Sequence, residues 1–137
     1  MIRRLALAAV FGCLASPVLA QDWDCSKPGD LPQLGMNWCA AQDYARADDA
    51  LNAAWKKVRA YMKSIDEANR EYVPDQANGA ENLLKAQRAW IDYRDGQCEA
   101  EGAQFAGGSI RPLITISCKA TMTRKRTEEL LLLMQEN

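Results

Sequence analysis

WCAAQDYARADDALNAAWKKVRAYMKSI, residues 38–65, is the stretch on which the fold turns. Within it Tyr44, Ala47, Leu51, Trp55, Val58, Met62 and Ile65 recur at steps of three and four residues. They therefore share one face of a helix of roughly eight turns, with charged residues on the other face. Asn37 stands just ahead as a residue able to cap a helix that starts near Trp38. Upstream, Gln21 to Asn37 contains Pro28, Gly29, Pro32 and Gly35 and reads as an irregular arm. Downstream, Val73-Pro74 and Asn78-Gly79 mark a turn. A second helix is expected from about Ala80 to Ala100, its stripe formed by Leu83, Gln87, Trp90, Arg94 and Cys98 with Leu84 and Ile91 at its margin. GAQFAGG, residues 102–108, then reads as an exposed glycine-rich loop. Ser109 is placed to cap a third helix and Pro112 falls in its first turn, where no intrahelical amide bond is lost. Its stripe runs through Leu113, Ser117, Cys118, Met122, Arg126, Leu130 and Leu133. No alternating pattern of useful length occurs. The expected fold is all-α, a small three-helix bundle with disulfide-stapled loops.

The chain has 137 residues, which suits one domain around one core. With 48% apolar residues it can build that core, so disorder is not expected. It contains no histidine, which removes Ser-His and Cys-His nucleophiles and imidazole metal ligands together. The formal net charge of -1 argues against a nucleic-acid partner, which needs a strongly basic face.

Residues 1–20 read as a secretory signal: Arg3 and Arg4, an apolar stretch from Leu5 to Ala15, and the small-residue exit Pro17-Val18-Leu19-Ala20. The apolar stretch is short of the about 20 residues a membrane span needs, and no later segment approaches that length. Val10-Phe11-Gly12-Cys13 distantly resembles a lipoprotein cleavage box, but Phe11 is bulky where that box takes a small residue. Cleavage after Ala20 is expected, not a lipid anchor at Cys13. The division is then a signal at 1–20, an arm at 21–37 and a helical domain at 38–137. The location implied is periplasmic or secreted. Between Gln21 and Trp55 six acids face two bases, whereas the last 35 residues are mildly basic. A solvated face accounts for this, and a docking surface for a basic partner is the sharper reading.

Four cysteines remain after such processing: Cys25, Cys39, Cys98 and Cys118. An even count in an exported chain points to disulfides, and the spacings lack the close pairs of a zinc site. Three connectivities exist on paper. Cys25–Cys39 with Cys98–Cys118 closes two short loops and is the expected pairing, each bridge stabilising by about 3 kcal/mol in the chain-entropy picture.

Polar residues interrupt the apolar faces. Asp48 and Asn52 lie one turn apart, Gln87 and Arg94 flank Trp90, and Arg126 sits between Met122 and Leu130. An inward-facing arginine needs a carboxylate such as Asp48, so these five residues read as an inter-helix network that fixes register. The rival is a catalytic carboxylate cluster, using Asp92 with Asp95 or Asp48 with Asp49. Such pairs are common on solvated faces, and no metal motif or phosphate loop accompanies them. No catalytic residue, metal or cofactor is expected.

Ala47-Asp48, Leu51-Asn52 and Trp55, followed by AQRAWI at 86–91, Tyr93-Arg94-Asp95 and Cys98, then Gly107-Gly108-Ser109, Cys118, Thr123, Arg126 and Leu130, carry a family resemblance. The chain resembles the LprI-like lysozyme-inhibitor family of small exported bacterial helical domains. The match runs from about Cys39 to Leu130. The resemblance implies a disulfide-held helical fold and, by analogy with the family's named member, inhibition of lysozyme. Phe105, Gly107, Gly108, Ser109 and Arg111 are the candidate partner-binding loop. Ser109 and Arg111 would meet cleft carboxylates and Phe105 an apolar wall. The alternative is a periplasmic structural or adaptor module that docks on another envelope protein.

Overall fold

A computed structural model describes residues 22–135; the expected signal at 1–20, the cleavage expected after Ala20 and Cys13 lie outside the described residues. Three helices, α1 (Gln33–Asn69), α2 (Gly79–Ala103) and α3 (Arg111–Leu132), form an all-α bundle, with short 3-10 turns at Pro28–Asp30 and Pro74–Gln76. No strand occurs among the described residues. None of these helices is long and apolar enough to cross a membrane.

Helix α1 has 37 residues and is about 55 Å long at 1.5 Å per residue. It begins at Gln33, ahead of the start expected at Trp38, so the irregular arm ends at Pro32. Pro32 occupies the cap position with extended backbone, and no side chain caps the helix. Asn37 lies inside the helix, accepting from Gln33 Nε2 at 2.8 Å and donating to the Ser109 carbonyl at 3.2 Å. Gly35 explains the earlier start. A Cβ there would stand 2.9 Å from the Trp23 ring, so the glycine makes room for the arm to fold back over the first turn. Cys25–Cys39 ties that arrangement, with Cα atoms 5.5 Å apart. Tertiary contact thus overrides the low helix propensity of glycine.

The turn between α1 and α2 is closed by Asp66. Its carboxylate accepts from the Gly79 and Ala80 amides at 2.7 and 2.9 Å, satisfying two of the amides that a helix start leaves without partners. A Cβ at Gly79 would meet Met62 at 2.6 Å and Asp66 at 3.0 Å, so glycine is what allows this approach.

Leu51, Val58, Leu83 and Leu130 form the core, with Trp55, Met62, Trp90 and Met134 packed around it. Helix α3 makes its most extensive contact with α1. Small residues are buried on both helices, Ala40, Ala47 and Ala54 on one and Thr115, Ala120 and Thr123 on the other. Small side chains permit close helix approach. The expected α3 stripe is therefore partly out of phase: Ser117 and Leu133 are exposed. Ser109 does not cap α3 either. Ile110 holds that position, without a side-chain bond, and Pro112 lies in the first turn. The second disulfide, Cys98–Cys118, joins α2 to α3, with Met122 Sδ 3.6 and 3.9 Å from its two sulfurs.

Candidate functional site

The connection between α2 and α3 is a chain of tight turns. The Phe105 amide donates to the Gly102 carbonyl, the Gly108 amide to Phe105 at 3.0 Å, and the Arg111 amide to Gly108 at 3.2 Å. Gly107 has φ 78°, the left-handed region that favours glycine. Below the loop, a Cβ at Gly102 would collide with the Thr115 hydroxyl, so the end of α2 lies directly on α3. Three external braces hold the turns: Cys98–Cys118, the Asn37 bond to the Ser109 carbonyl, and an Arg111–Glu99 ion pair at 3.0 Å. Phe105, Gly107, Gly108, Ser109 and Arg111 are all exposed. The Ser109 hydroxyl makes no hydrogen bond among the described residues. Beside Arg111 lies an open cleft of about 490 Å³, bounded by Tyr44, Ile116, Pro112 and Lys119. The loop is consequently fixed in shape, with the Phe105 and Ser109 side chains exposed and unpaired among the described residues while Arg111 is shared with Glu99.

The five polar residues of the helix faces divide into two groups. Asp48 and Asn52 form an outer pair, with Asn52 Nδ2 donating to Asp48 at 2.9 Å. Gln87, Arg94 and Arg126 gather around Trp90: the Arg94 and Arg126 guanidinium carbons stand 5.0 and 5.9 Å from the ring centre. Arg126 Nε donates to Gln87 Oε1 at 3.0 Å and its Nη1 to Glu129 at 2.9 Å. Arg94 is only 6% exposed, and its carboxylate is Asp95, 2.9 Å away, in place of the expected Asp48. The Asp95 carboxylate turns back onto its neighbour's Nε and also meets Lys119 at 3.4 Å. Arg94 further stands 5.5 Å from the Tyr44 ring and 3.4 Å from the Thr123 hydroxyl. Partial burial works against ionisation of Asp95, but the hydrogen bond and charge of Arg94, then Lys119, outweigh it and hold the carboxyl below its ordinary range.

A groove of about 240 Å³ runs between α1 and α2. Trp55 and the Asp48–Asn52 pair line it from α1, Gln87 and Arg88 from α2. Most of the Ala47–Trp55 and Gln87–Arg94 residues that carry the family resemblance lie along its walls. Asp92 is exposed and Asp95 is engaged as an ion-pair partner. Among the described residues no group of three acids or cysteines could hold a metal ion.

The roles of two residues escape a reading of the sequence. Asp66 sits among charged neighbours near the end of α1, and only its distance from Gly79 across the turn hints at a cap. Asp95 is hidden by adjacency, because neighbouring residues on a helix ordinarily point apart.

Fold and site together define a small disulfide-stapled helical module that presents a braced loop and a shallow polar groove. The chain belongs to a family described as lysozyme inhibitor LprI, which matches residues 25–130. It is 44% identical over 125 residues to the uncharacterized protein R02472 of Rhizobium meliloti (strain 1021), covering 90% of this chain and 88% of the relative. It is 32% identical over 97 residues to the uncharacterized protein YecT of Escherichia coli (strain K12), covering 67% and 58%. No solved structure matches the chain.

Proposed function

We propose that this is an exported, periplasmic or secreted protein that inhibits a lysozyme by binding it, without turnover of its own. The observation that carries the reading is the braced loop from Phe105 to Arg111, on a member of a family described as lysozyme inhibitors. A loop already held in shape loses little conformational entropy on entering a cleft. The Ser109 hydroxyl and the Arg111 guanidinium are suited to the paired carboxylates of a glycosidase, and Phe105 to an apolar wall. Export is supported by the signal-like residues 1–20 and by the pairing of all four remaining cysteines.

Lysozymes are strongly basic, and Asp22, Asp30 and Asp49 are exposed acids without an ion-pair partner among the described residues. Long-range attraction of that kind speeds encounter and is screened by salt. The test is lysis of a cell-wall suspension by lysozyme with the processed protein added at two ionic strengths. Slowed lysis is expected, with an association rate that falls as salt rises. No slowing at micromolar excess would remove the reading.

A further inference from the structure

We infer that a hollow on α1, lined by Trp55, Lys56, Arg59 and Lys63, binds a terminal phosphate group. The ligand is a phosphate monoester, carried by a small molecule or by a lipid headgroup. Every other arginine among the described residues is in an ion pair, but Arg59 and Arg88 are not. Both stand beside Trp55, Arg59 in this hollow and Arg88 in the adjoining groove. Arg59 Nε is the one buried side-chain nitrogen or oxygen without a hydrogen-bond partner among the described residues. The guanidinium carbon lies 6.0 Å from the Trp55 ring centre. Burial has stripped water from that edge of the cation, and no carboxylate of the described chain compensates. Its Nη groups are unbonded too, but they are not buried, and they remain able to reach a counter-ion. Lys56 and Lys63 are exposed and likewise in no ion pair among the described residues. Nearby carboxylates are engaged elsewhere: Asp48 with Asn52, Asp66 with the Gly79 and Ala80 amides, Glu67 with Arg70.

Positions 56, 59 and 63 follow at steps of three and four, so the three cations share one face of α1 within about 10 Å. Three cationic donors without an acceptor among them select an anion, and their number selects its kind. A carboxylate has one charge and two oxygens, which the arginine fork alone would satisfy. A phosphate monoester carries a charge of about −1.5 to −2 at neutral pH and three acceptor oxygens, one for Arg59 and one for each lysine. Arg88 adds to the positive potential from the adjoining groove. The hollow measures about 260 Å³, which leaves room beside Trp55 and Ala60 for the carbon skeleton of the ester. Like charge excludes this face as the contact for a basic lysozyme, so the inference stands apart from the loop.

The test is titration of the processed, disulfide-intact protein with glucose 1-phosphate at low ionic strength, followed by NMR shifts of the α1 amides and of the Trp55 indole N–H. Saturable shifts with Kd of about 1 mM or tighter are expected, weakening as salt rises. Glucuronic acid, which carries a carboxylate instead, should bind about tenfold more weakly or not at all. Lys56→Gln/Lys63→Gln, at exposed positions, should weaken binding at least about tenfold with the thermal midpoint unchanged. Lys57→Gln removes the same charge from the other side of α1 and should bind within about twofold of the parent. Co-sedimentation with phosphatidylcholine vesicles containing phosphatidic acid distinguishes the sources. Binding at least about tenfold tighter per phosphate group than glucose 1-phosphate assigns the lipid headgroup, and anything less assigns the soluble ester. No saturable response to either phosphate probe, equal binding of glucuronic acid, parental binding by the double variant, or an equal loss in Lys57→Gln would each overturn the inference. An inactive loop with intact phosphate binding would sink the inhibitory reading alone.

Discussion

At the scale of single residues, the main feature is how a buried arginine is neutralised. Arg94 faces inward, as its place in the α2 stripe implies, and burial of a lone guanidinium would be prohibitive. The partner follows from rotamer geometry, not from spacing, because a residue one position along a helix rarely reaches back. Asp95 does so, and sequence periodicity had no means of choosing it over Asp48. A pH dependence results. The folded carboxyl of Asp95 lies below its ordinary value of 3.8, so its stabilising contribution is present above that value and is lost as pH falls through the lower folded one. The side chain is 43% exposed, so solvent screens much of the effect. Urea unfolding of Asp95→Asn is therefore expected to show a shallower loss of stability below pH 3.8 than the parent. Parallel pH profiles for the two would contradict the assignment.

At the scale of elements, the three helices and both short disulfide loops were legible, because apolar periodicity and cysteine spacing speak directly to them. The helix ends were not. Asn37 and Ser109 are good capping residues by type, yet neither caps: Trp23 packing on Gly35 moves the first start, and Gly107 with its turn bonds sets the third. The phase of α3 departs from its apolar pattern for a related reason. Thr115 and Thr123 look polar in sequence, but each offers a methyl group and little bulk, which suits a close contact with α1 better than leucine would. The start of α2 depends on a residue of another helix. Asp66→Ala removes both acceptors from the Gly79 and Ala80 amides, and a loss of about 2 kcal/mol in urea unfolding is expected. Asp66→Asn retains one acceptor oxygen and should lose less. A change within about 0.5 kcal/mol for Asp66→Ala would mean that water serves those amides equally well.

At the scale of the whole molecule, the charge asymmetry of the sequence closes partly upon itself. Arg124 of the basic α3 pairs with Asp43 of the acidic α1 at 2.8 Å, and Asp43 also meets Arg46. What remains for a partner is a smaller acidic face than the sequence suggests, so shape should matter more than charge in recognition. The shape on offer is the loop at one end of the bundle; of its braces the Cys98–Cys118 bridge was legible in the sequence, and the Asn37 and Glu99 contacts were not. Asn37 lies 72 residues from Ser109 along the chain, and nothing in local pattern connects them. The most direct measurement is the dissociation constant for lysozyme of the processed protein beside that of its Ser109→Ala/Arg111→Ala variant, with thermal midpoints recorded for both. Binding weakened about 10- to 100-fold, with the midpoint lowered only by the small loss of the exposed Arg111–Glu99 ion pair, is the expected result. Equal affinity for the two proteins would contradict the account.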